Sequence, residues 1–68
     1  MFKFDNAFHT KNKKVGMQFN DTNNRSRKVS IYPDNKGLLV VDCTEFPVSM
    51  QEGVEITNMY NKLVRYYQ

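Results

Sequence analysis

The chain has 68 residues and a mass of 8.0 kDa, is 40% hydrophobic and 25% charged, and carries a formal net charge of +3. Surface scaling gives a folded chain of that mass roughly 4,500 Å² of accessible surface against about 11,600 Å² unfolded, so it buries only about 60% and supports one thin core. That excludes a second domain and a large catalytic scaffold.

With one cysteine, Cys43, no intramolecular disulfide can supplement the core, and the expected compartment is the reducing cytoplasm. The longest apolar run, Leu38 to Val41, has four residues, far short of the roughly 20 that cross a bilayer. The opening Met1-Phe2-Lys3-Phe4-Asp5-Asn6 lacks the apolar stretch of a secretory signal. No membrane partner is expected. The distribution of charge says more than its sum: residues 1–40 carry eight basic and three acidic side chains, net +5, and the remainder two basic and four acidic, net −2. A basic front half attracts polyanions.

In chain order, Phe2 and Phe4 have strand spacing, so residues 1–13 are either an additional strand or an arm. Residues 14–19 alternate, with Val15, Met17 and Phe19 on one face, the period of a half-buried strand. The run Asn20-Asp21-Thr22-Asn23-Asn24 tolerates left-handed conformations and predicts a turn. Residues 28–32 alternate again, with Val29 and Ile31 inward. Pro33 ends that strand, and Asp34-Asn35-Lys36-Gly37 supplies a reversal. The third strand of the meander, 38–43, is apolar on both faces, so something must cover its second face: Phe2, Phe4 and Phe8, another copy, or a partner protein.

Ser49-Met50-Gln51-Glu52 has the pattern of a capping box and predicts a helix over 49–67. Ile56, Met59, Tyr60, Leu63, Val64 and Tyr67 form its single apolar stripe. Glu52 and Glu55 near its start, and Lys62 and Arg65 near its end, match the helix dipole. Gly53 weakens the helix and leaves an alternative in which residues 54–56 form a short strand. The longer helix accounts for more of these features at once. The expected fold is α+β: one domain over 1–68, an antiparallel meander of three or four strands over 14–43 with or without the N-terminal segment, packed on one face by a C-terminal amphipathic helix.

The inventory for catalysis is poor. His9 is the only histidine and lies in a polar stretch, and Cys43 ends the most apolar segment, where a thiol is usually a small buried hydrophobe. Asp42 with Glu45, and Glu52 with Glu55, are pairs without a third ligand, and glycines at 16, 37 and 53 fit no phosphate-cradling spacing. No catalytic residue, metal or cofactor is expected.

Binding is better supported. In a hairpin of the first two meander strands, Arg25, Arg27 and Lys28 gather at one end. Lys11, Lys13, Lys14 and Lys36 gather at the other, about 20 Å away at roughly 3.3 Å per residue. These residues are the expected phosphate contacts to nucleic acid, and Tyr32, outward, is the expected stacking platform. The helix carries too few basic residues to act as a recognition helix in a major groove. A second expectation is an inhibitor or adaptor that binds protein, or its own copy, through Leu38, Val40 and Tyr66, since apolar strands and tyrosines favour interfaces. Eight asparagines and seven lysines are the bias that AT-rich coding produces, and with the small size they point to an accessory protein of a phage or mobile element.

Overall fold

In a computed structural model, which describes residues 2–67, five elements follow one another: β1 (Phe2–His9), β2 (Val15–Asp21), β3 (Lys28–Pro33), β4 (Leu39–Cys43) and α1 (Met50–Tyr67). The strands pair antiparallel in the order β1-β2-β3-β4, and α1 lies across one face. This is the α+β meander expected from the sequence, with the N-terminal segment as its fourth strand.

The inner face follows from the alternation. Met17 and Phe19 of β2, Val29 and Ile31 of β3 and Phe2 of β1 meet Ile56 and Tyr60 of α1 in one buried cluster. Each such side chain contributes about 1.5 to 3 kcal/mol of hydrophobic stabilisation. Phe4 packs edge-on against Phe19 with ring centroids 6.0 Å apart. A register shift between Phe4 and Asn6 leaves Asp5 as an extra residue in β1, which bends that edge of the sheet.

Tyr60 also solves a hydrogen-bonding problem. Asp21 N donates to Arg27 O, so by strand alternation Val15, six residues earlier, also turns its backbone toward β3. The residue it would meet there is Pro33, which has no N–H. The Tyr60 hydroxyl donates to Val15 O instead, at 2.8 Å.

The helix begins as its capping box predicts. Ser49 N donates to Glu52 Oε1 at 3.0 Å, and Glu52 N donates to Ser49 Oγ at 3.2 Å. Residues 54–56 are helical, so the short-strand alternative does not form. Among the described residues no helix is long and apolar enough to cross a membrane.

The two-faced apolar segment departs from expectation. It is β4, the edge of the sheet, and β1 with Phe2 and Phe4 joins the opposite edge, so those phenylalanines cannot cover it. The helix stands over β2 and β3, and Leu39 and Val41 remain 42% and 39% exposed on the helix side.

Candidate nucleic-acid interface

Among the described residues, the face of the sheet opposite the helix carries no other element, and the pairing register arranges its side chains in rows across the strands. At one end Phe8 pairs with Gly16, and Tyr32 pairs with Val40. Gly16 adjoins Met17, whose partner is Ile31, so it stands between Phe8 and Tyr32. The next row is Asn6, Gln18, Ser30 and Asp42, and beyond it lie Lys3, Asn20 and Lys28.

The aromatic row depends on the glycine. A Cβ at position 16 would fall 2.5 Å from the Phe8 ring. Without one, Phe8 lies over the strand and meets Tyr32 edge-to-face, with centroids 6.2 Å apart and planes at 62°. Together with Pro33 and the two adjoining loops, these rings line an open groove of about 470 Å³.

Both loops that flank the groove are short reversals built alike. Thr10 N donates to Lys14 O and Asp34 N donates to Leu38 O, while the left-handed position is taken by Lys13 (φ 60°) in one and Gly37 (φ 84°) in the other. Asp34 Oδ1 accepts from the backbone of Lys36 and Leu38, as an Asx-turn residue does. The Asn12 side-chain amide donates to Asn35 Oδ1 and ties the loops together. The result brings Lys11, Lys13, Lys14 and Lys36, all exposed, to one end of the sheet around the aromatic groove. Among the described residues no carboxylate lies within ion-pair distance of any of the four.

The other expected basic cluster is altered. Arg25 and Lys28 are exposed there, and Lys3 of β1 joins them. Arg27 does not: its side chain is fully buried. Its Nη1 donates to Asp21 Oδ2 at 3.2 Å and to Glu52 Oε2 at 2.7 Å, and its Nη2 donates to Pro47 O at 2.8 Å. Its guanidinium centre lies 3.9 Å from the Phe46 ring centroid and 5.5 Å from that of Phe2. Hydrogen bonding to Glu52 raises the Arg27 pKa further above its ordinary value. Arg27 in turn holds the Glu52 carboxyl down to about 2. The Asn23 N–H, with Arg27 behind it, keeps Asp21 below its ordinary range. Arg27 is therefore a structural cation and not a phosphate contact.

Of the residues expected at a protein interface, Leu38 is 65% and Tyr66 83% exposed. Val40 is half-buried beside Tyr32 on the outer face, whereas Tyr66 stands on the helix, across the sheet, against Tyr67. Tyr66 therefore does not share a patch with Leu38 and Val40. His9 ends β1 and Cys43 ends β4, at opposite edges of the sheet, so no Cys/His pair is assembled. Cys43 Sγ is engaged with Phe46 O at 2.9 Å. Among the described residues no group of three His, Cys, Asp or Glu side chains could hold a metal ion.

Phe8, Gly16 and Lys3 belong to this face and were not among the residues expected from the sequence to contact nucleic acid. The available signal was Gly16 itself, since a glycine inside an alternating strand marks a close approach by another group. Comparison of the chain with protein-family models, curated proteins and solved structures finds no match.

Proposed function

We propose that the chain binds single-stranded nucleic acid without catalysis. The observation that carries this is the Phe8–Tyr32 groove set between two lysine-bearing loops. Bases stack on aromatic rings, at about 1 to 3 kcal/mol per base, and lysines neutralise the phosphates alongside. Single strands suit the face better than a duplex, because base planes are accessible to a ring only when unpaired. In this reading Lys11, Lys13, Lys14 and Lys36 hold the backbone beside the groove. Arg25, Lys28 and Lys3 continue the track about 13 Å away, four strand residues further along at roughly 3.3 Å each. An accessory protein of a phage or mobile element, acting in the cytoplasm, accords with the size, composition and single free cysteine.

The test is fluorescence anisotropy with an oligo-dT probe over a salt series. Affinity should fall steeply with salt, the joint replacement of Lys11, Lys13, Lys14 and Lys36 by Ala should flatten that slope, and Tyr32→Ala should weaken binding about tenfold. Heparin bound as tightly as the oligonucleotide, or no binding at low salt, would overturn the proposal.

A further inference from the structure

We infer that β4 is a self-pairing edge and that two copies of this chain join their sheets through it, with Val41 on the two-fold axis. Thr44 N donates to Lys28 O and Asp34 N donates to Leu38 O, so residues 38, 40, 42 and 44 turn their backbone groups toward β3. In an antiparallel ladder the alternate residues face the other way. Leu39, Val41 and Cys43 thus offer their N–H and C=O groups to a free edge.

The two edges of the sheet are not treated alike. β1 is guarded by a bulge at Asp5 and by exposed Lys3 and Asp5, the devices that discourage strand addition. β4 runs in unbroken register against β3 and has neither proline nor lysine. It is also self-complementary. Centred on Val41, antiparallel pairing sets Leu39 opposite Cys43 and Val40 opposite Asp42 of the second copy, with about six backbone hydrogen bonds. Centring on Asp42 would oppose two carboxylates, which is destabilising, and centring on Val40 pairs fewer of the outward backbone groups.

The side chains agree with the backbone. Leu39 and Val41 project to the helix side, where Val41 lines an open groove with Met50, Gly53 and Val54. Met50 is 92% and Val54 62% exposed. A second β4 lays another Leu39 and Val41 beside this groove. Because the two-fold axis of an antiparallel pair is perpendicular to the sheet, both helices lie on one side and both aromatic grooves on the other.

Light scattering over a wide concentration range, with amide hydrogen exchange read by NMR, tests this. The expected result is a mass of twice 8.0 kDa, slow exchange at Leu39, Val41 and Cys43, and a monomer for Val41→Lys. A monomer at every concentration, a dimer in which those three amides exchange freely, or a Val41→Lys protein that stays dimeric would overturn it. If Val41→Lys does not fold, the amide protection of the unaltered chain decides.

Discussion

A buried guanidinium is tolerated only when its charge and its N–H groups are met together. Arg27 has its charge met by two carboxylates, its Nη1 and Nη2 groups bonded to those carboxylates and a carbonyl, and two aromatic faces beside it, while its buried Nε has no hydrogen-bond partner among the described residues. Replacing it with methionine leaves Asp21 and Glu52 facing one another without a cation. The expected loss is roughly 3 to 5 kcal/mol, from about a third to all of the stability of a domain this small at roughly 0.05 to 0.15 kcal/mol per residue. Urea denaturation would measure it. The same cluster sets the acid response. The Glu52 pKa is lowered from 4.5 to about 2, so the unfolded chain takes up this proton more readily than the folded one. Its contribution is complete above about pH 4.5 and is lost as pH falls toward 2. Melting temperature should drop through that window, and Glu52→Gln should flatten the drop. None of this was legible from composition, where Arg27 is one more basic residue beside Arg25 and Lys28. Its carboxylate partner on the helix is 25 residues away.

At the scale of the element, strand alternation, turn residues and the capping box are local signals, and β2, β3 and α1 formed where those signals lay. The two reversals beside the groove show what local signals leave open. Lys13 occupies with φ 60° the position that Gly37 takes with φ 84° in the companion turn, and a side chain there costs about 1 kcal/mol. Lys13→Gly should therefore raise stability by about 1 kcal/mol in thermal unfolding while lowering affinity for oligo-dT. A stability gain with unchanged affinity would show that Lys13 does not touch phosphate. Gly16→Ala forces the Phe8 ring off the strand, so its affinity should fall about as far as that of Phe8→Ala, up to tenfold. The stability cost should be modest, about 1 kcal/mol for a displaced half-exposed ring. Oligo-dT anisotropy and melting curves on the same samples separate the two effects.

At the scale of the molecule, the sheet has one face sealed by the helix and one face patterned in rows, aromatic at the lysine end and basic again at the far end. Pairing through β4 would place two such faces side by side. An oligonucleotide long enough to reach both grooves should then bind more tightly than a short one by well over the statistical factor of about two, through effective concentration. Val41→Lys should remove that gain and leave the short-oligonucleotide affinity unchanged. Titrating both lengths against both proteins checks the prediction.

The sequence by itself determined the class of fold, the helix start and the end of the sheet at which Lys11, Lys13, Lys14 and Lys36 gather. Each of these follows from periodicity, turn chemistry or a cap within a few residues. The tertiary structure decided what depends on strand order and burial. It left the apolar helix side of β4 uncovered at the sheet edge, drew Arg27 out of the basic surface into an ion cluster, and laid Phe8 across Gly16 against Tyr32. These outcomes rest on contacts between residues distant in the chain, and no local pattern specifies which strand lies beside which. The thin core expected of 68 residues is present, and what it leaves uncovered is the apolar side of β4.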